Sequence, residues 1–158
     1  MEQRKHPRLK HYDYSGNGAY FVTFCTKNRA CLLWESVGRG APAPPPECLS
    51  EYGRIVDELI QRIPHVYPHV LVPNYVVMPN HVHLLVQILD DGGAGAPRPT
   101  VMAIVGGIKS IATRKIGHSI WQPSFHDHIV RSEQDFLDLW NYITGNPSKW
   151  SDDIYYEP

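Results

Sequence analysis

Residues 70–89 read VLVPNYVVMPNHVHLLVQIL, and the fold is decided there. Two runs rich in Val, Leu and Tyr, Val70 to Met78 and His81 to Leu89, flank Pro79-Asn80. The β-branched and aromatic content predicts two strands, and the Pro-Asn pair predicts the break of a hairpin between them. Strand side chains alternate faces, so Val82, Leu84 and Val86 point into a core. His81 and His83 then share the opposite face, with Cα atoms roughly 6–7 Å apart.

Moving outward from the hairpin, Ala19 to Thr26 (AYFVTFCT) is a third strand by the same composition. Ser50 is placed to cap a helix carrying Tyr52, Ile55, Val56, Leu59, Ile60 and Ile63 at helical spacing, and Pro64 is expected to close it. Thr100 is placed to cap a second, with Val101, Ile104, Val105, Ile108, Ile111 and Ala112, ending by Gly117. Ile120 to Val130 reads as a last strand. Ser132 opens a final helix whose first turn holds Glu133 and Asp135, favourable at the positive end of the helix dipole. The order β, α, β, β, α, β, α predicts an α+β chain with a ferredoxin-like split βαβ sheet. Four antiparallel strands form its core, and an extra C-terminal helix follows. Both crossover helices belong on one sheet face, leaving the histidine face for a site.

The chain has 158 residues, which fits one domain spanning 1–158, and its 42% hydrophobic content supports a full core. There is no apolar run long enough for a transmembrane helix, and the first twenty residues lack a signal-peptide stretch. Cys25, Cys31 and Cys48 are odd in number and form no CxxC pair, so reduced thiols and a cytoplasmic setting are expected. The net charge of −1 argues against a general nucleic-acid coat, but the charges are unevenly spread. A basic arm within residues 1–17 carries Arg4, Lys5, Arg8 and Lys10, and residues 92–126 hold Arg98, Lys109, Arg114 and Lys115 with no acid. A basic face of this kind attracts phosphates. Segments 38–46 and 90–99 are Pro/Gly-rich loops with no helix or strand prospects.

Two imidazoles on one rigid strand can converge on a divalent metal ion, since neutral imidazole is a common ligand. By spacing alone they are equally two polar side chains on the wet side of a sheet. His126-Asp127-His128 has the same spacing, but there a charged Asp would face the core side, which suits a strand end better than a metal strand. In the last helix, Phe136, Leu139, Trp140 and Ile143 form the buried stripe. Tyr142 and Asn146, four residues apart, lie together at its edge. Gly145 is a helix stop, and Pro147 disfavours helical geometry at Asn146. A tyrosine hydroxyl, with a reference pKa of about 10, attacks phosphorus only with a proton acceptor or a nearby cation. A metal ion beside Tyr142 would polarise a phosphate and stabilise the leaving oxygen. Taken singly, Tyr142 is also an ordinary amphipathic residue at a core edge.

These segments together resemble the single-tyrosine HUH transposases (U being a hydrophobic residue), and most closely the branch of REP-associated tyrosine transposases. The resemblance runs through Arg8-Leu9, residues 12–29 (YDYSGNGAYFVTFCTKNR), 76–86 (VVMPNHVHLLV), Ile108-Lys109-Ser110, 121–131 (WQPSFHDHIVR) and 142–150 (YITGNPSKW). It implies that His81 and His83 are the metal pair, Tyr142 the nucleophile and Asn146 the third ligand. It implies a ferredoxin-like fold, Mg²⁺ or Mn²⁺ as cofactor and no nucleotide cofactor. The implied reaction cleaves single-stranded DNA, links tyrosine to a 5′-phosphate and releases a 3′-hydroxyl. Attack by another 3′-hydroxyl rejoins the strand. The implied substrate is hairpin DNA from palindromic repeats, and the implied state a monomer or homodimer, with the tyrosine helix in cis or exchanged between copies.

Lys109 and Arg114 are candidate phosphate contacts, as is the arm of Arg4, Lys5, Arg8 and Lys10. Two other readings stand beside the enzyme. One is a non-catalytic module that grips hairpin DNA; the other is a metal-dependent hydrolase that needs no tyrosine.

Overall fold

The computed structural model describes residues 18–35, 47–89, 99–152 and 155. The basic arm with Arg4, Lys5, Arg8 and Lys10, segment 38–46 and most of segment 90–99 lie outside the described residues. Strand β1 (Ala19–Cys25) is followed by helix α1 (Glu51–Gln61), a short helix α2 (Ile63–Val66) and strands β2 (Val70–Val77) and β3 (His81–Ile88). Helix α3 (Val101–Ile116), strand β4 (His126–Ile129) and helix α4 (Glu133–Gly145) complete the order. The sheet runs β2-β3-β1-β4 with antiparallel neighbours throughout. That is the split βαβ topology expected from the sequence. β1 and β3 are central, and all eight residues of β3 are buried.

The starts of α1, α3 and α4 use the expected caps. Ser50 accepts from the Gly53 N–H, Thr100 from Ala103 and Ser132 from Asp135. Each satisfies one of the orphan donors of a first helical turn. Pro64 does not close the helical run. It sits in the first turn of α2, where its missing N–H costs nothing.

The last strand is much shorter than 120–130. Pro123 lacks a ladder donor, and Ser124 stands at φ 70° in the left-handed region. Only a single bridge, Trp121 to Thr26, precedes β4. Pro73 is tolerated in β2 because β2 is an edge strand, and its pairing shifts between Leu71 and Asn74.

Gly53 shows where local preference and packing disagree. A helix-interior Gly→Ala change ordinarily stabilises by about 1 kcal/mol. At Gly53 a Cβ would run into the Leu33 carbonyl and press on Leu49 Cδ2 at 3.2 Å. Leu33 O already accepts the Ser50 N–H at 2.9 Å, so that backbone cannot withdraw without losing a bond. Gly53→Ala is therefore expected to destabilise the protein by roughly 2–3 kcal/mol. Gly106→Ala, with nothing within 4 Å, should stabilise it by up to about 1 kcal/mol. Urea midpoints of the two variants check the pair, and a stabilised Gly53→Ala would refute the close approach.

Candidate functional site

The register places His81 beside Cys25 and His83 beside Thr23, so all four share one face of the central strands. That face is not left free. Helix α4 lies over it, with the Tyr142 ring 5.3 Å from the His83 ring and 6.1 Å from that of Phe21. Its covering explains why β3 is buried on both sides. Asn74 of β2 ties the helix down, its Nδ2 donating to Trp140 O at 3.2 Å and Thr144 Oγ1 at 3.1 Å. At the other end, His128 Nε2 meets Asp135 Oδ2 at 2.8 Å. The second His-x-His pair is thus divided in role: His128 anchors α4, and His126 is exposed beside Thr23 on the edge strand. Asp127 points to the core side, as expected, but at an exposed edge where it stays solvated.

The hydrogen bonds around the pair orient both imidazoles and set the tautomer of His81. Asn80 Nδ2 donates to Arg29 O at 3.2 Å and Tyr155 O at 2.6 Å. These two acceptors turn Asn80 Oδ1 toward His81 Nδ1, 2.8 Å away. An amide oxygen only accepts, so Nδ1 of His81 carries the proton and Nε2 holds a lone pair. His83 Nδ1 lies 2.8 Å from Thr23 Oγ1. His83 Nε2 is buried with no hydrogen-bond partner among the described residues, and so is Asn146 Nδ2. An Asn amide turned half over presents its oxygen in place of its nitrogen. Nδ1 held by a neighbour and Nε2 left as donor is the arrangement of metal-binding histidines.

Both imidazoles are neutral in the folded protein. Burial, together with the repulsion that a second charged imidazole at His83 and the Arg29 guanidinium would add, brings the His81 pKa down to about 2. Burial alone brings His83 down to about 3. Unfolded histidine takes its proton near pH 6.5, so their contribution to stability is complete above about that pH. It is lost as pH falls from there toward 3, at about 1.4 kcal/mol per pH unit for each histidine. In EDTA, the urea midpoint should drop steeply between about pH 6 and pH 4. A His81→Gln/His83→Gln variant should show a shallower drop; an equal slope would refute buried neutral imidazoles.

Asn146 is buried at 4% exposure, one turn beyond Tyr142 on the same side of α4. Its backbone is helical, at φ −62° and ψ −43°, contrary to the expectation set by Pro147. The chain continues directly into a 3₁₀ turn, Pro147–Asp152, whose Lys149 N–H bonds Asn146 O at 3.0 Å. That bond and the buried side chain offset the crowding ahead of the proline.

Lys109 is half-buried, and its ammonium donates to Gln122 O at 2.9 Å and to Ser124 O. Desolvation lowers its pKa. It holds a loop. Arg114 is exposed in the last turn of α3.

Two neighbours of the pair carried no signal in spacing or periodicity. Asn80 is fully buried in the turn before β3 and orients His81. The Tyr155 ring lies 4.4 Å from that of His81, with Arg29 Cζ 5.4 Å above it. Among the described residues no cluster of three His, Cys, Asp or Glu could hold a metal. None of the three cysteines is in a disulfide, and no described helix is long and apolar enough to cross a membrane.

Comparison with known family models returns no match. An uncharacterised protein of Haemophilus influenzae is 30% identical over 176 aligned positions, spanning 99% of this chain and 94% of that protein. Among solved structures, a REP-associated tyrosine transposase bound to a REP hairpin superposes with a TM-score of 0.60. It is 22% identical, and the match covers 91% of this chain and 74% of that one. A candidate transposase from Deinococcus radiodurans gives a TM-score of 0.50 at 19% identity, covering 87% of this chain and 97% of that one. The chain belongs to one family with the Haemophilus influenzae protein, and its fold is that of the REP-associated tyrosine transposase.

Proposed function

We propose that this protein is a metal-dependent HUH-type transposase that cleaves and rejoins single-stranded DNA through Tyr142. The observation that carries the reading is the 5.3 Å approach of the Tyr142 and His83 rings within one chain. Within a single copy the nucleophile candidate thus lies beside the neutral imidazole of His83, whose own ring is 4.6 Å from that of His81. The fold neighbour bound to a REP hairpin supports hairpin-forming DNA as the substrate.

His81 Nε2, His83 Nε2 and the Asn146 amide oxygen would hold Mg²⁺ or Mn²⁺. The ion would supply a positive charge that polarises the phosphodiester and eases departure of the 3′ oxygen. Thr23 and Asn80 hold Nδ1 of the two imidazoles, which would leave each Nε2 for the ion. Tyr142 Oη attacks phosphorus; the Oη–P bond forms as the P–O3′ bond breaks. At 43% exposure Tyr142 can pass its proton to solvent, and the 3′ oxygen leaves as a hydroxyl. His83, held near 3, is no base for that proton at neutral pH. Attack on the phosphotyrosine by another strand's 3′-hydroxyl restores the phenol and joins the DNA.

Label position tests this. With a hairpin oligonucleotide, Mn²⁺ and a denaturing gel, a 3′ label should travel with the protein and a 5′ label should leave on a shorter product. A hydrolase would release both labels. A non-catalytic module would shift the DNA only under native conditions.

A further inference from the structure

The turn after β1 was not among the candidate DNA contacts, yet it is bound to the site. Thr26 Oγ1 donates to Ala30 O at 2.7 Å, and the Thr26 N–H donates to Asn80 O at 2.9 Å. Arg29 O accepts from the same Asn80 that orients His81. Within the turn, Asn28 and Arg29 both stand in the left-handed region, at φ 56° and 54°. Two such non-glycine residues in succession are costly and persist only where their surroundings impose them. The result is to hold Lys27, Asn28 and Arg29 outward, all three exposed. Neither cation is in an ion pair among the described residues.

Facing this turn is the loop at Gln122 and Pro123. The loop is fixed by the Lys109 ammonium on Gln122 O and by the Gln122 N–H on Cys25 O at 3.0 Å. Between the two lies a cleft of about 450 Å³ lined by Lys27, Asn28, Arg29, Gln122 and Pro123. Two cations, two amides and no carboxylate make a lining that suits a phosphodiester chain. Arg29 Cζ lies 5.4 Å over the Tyr155 ring, which is itself 4.4 Å from the His81 ring, so the cleft adjoins the histidine pair.

We propose that this cleft binds the backbone of the single strand that runs to the His81/His83 centre, with Lys27 and Arg29 on successive phosphates. Lys109 is then a positioning residue that keeps the far wall in place. The proposal rests on the single-stranded DNA reading above and adds where the strand lies.

The test is the salt dependence of binding of a fluorescent single-strand-flanked hairpin oligonucleotide, read by anisotropy in EDTA. Lys27→Gln/Arg29→Gln should bind roughly tenfold more weakly and lower the magnitude of the log–log salt slope by about 1.4, two single-strand contacts' worth. Arg29→Lys should retain most of both. An Arg62→Gln/Lys115→Gln control removes two charges elsewhere and should keep the wild-type slope. Melting curves confirm that all variants fold. A Lys27→Gln/Arg29→Gln variant indistinguishable from wild type, or from that control, overturns the cleft. So does a wild-type protein that does not bind the oligonucleotide. A wild type that binds but forms no covalent adduct refutes the cleavage reading, while the slopes still judge the cleft.

Discussion

Tyr142→Phe is expected to abolish the covalent protein–DNA adduct, by roughly 10⁴-fold or more, while leaving hairpin binding and folding intact. The substitution removes one oxygen and keeps the ring. The ring's contacts with Phe21 and His83 therefore survive, and stability should change by less than about 1 kcal/mol. What is lost is the oxygen proposed to form the bond to phosphorus. No other group substitutes easily. Tyr155 is the other aromatic hydroxyl seen beside the pair among the described residues, but it sits over His81, not on α4. Denaturing gels with 3′-labelled hairpin DNA and Mn²⁺, run next to native binding assays, give both readouts. An adduct that persists in Tyr142→Phe at a comparable rate would end the assignment, and an adduct lost only on adding Tyr155→Phe would move it to Tyr155.

His81→Ala and His83→Ala should each cut adduct formation by at least about 100-fold and weaken Mn²⁺ binding measured by calorimetry to a similar degree. Each removes one of the two ring nitrogens offered to the ion. The loss should be shared by Thr23→Val at a smaller size, about tenfold, because Thr23 touches only Nδ1 of His83. DNA binding in EDTA should be unchanged in all three, which separates a metal role from a structural one. Equal Mn²⁺ affinity in His83→Ala and wild type would refute the site as drawn. The ranking also matters: a Thr23→Val variant more damaged than His83→Ala would point to packing in place of ligation.

Much of this site was legible along the chain. The alternation in 81–88 put both histidines on one face, and the register confirms it. Ser50, Thr100 and Ser132 announced three helix starts, and each makes its capping bond. These are local signals, since a strand's two-residue period and a first turn's orphan donors depend only on near neighbours. The misjudged places were where two local signals competed or where local geometry was overruled. Pro64 was expected to close the first helix, but a proline is equally at home in a first helical turn, and that is where it sits in α2. Asn146 precedes a proline and is helical all the same, because its side chain is buried and the chain turns on through Lys149.

What the sequence determined by itself is therefore the element order, the sheet topology it implies, and the residues that share a face with His81 and His83. What only the tertiary structure decided is what covers that face. Tyr142 reaches His83 because Asn74 and Asp135 hold α4 across the sheet. Asn80 sets the His81 tautomer through carbonyls of Arg29 and Tyr155, 51 and 75 residues away. The Lys27–Arg29 turn meets the Gln122 loop through β1 and Lys109. Periodicity carries no information on such contacts. They arise when a closed core brings distant backbone groups together and leaves each buried polar atom to find its partner.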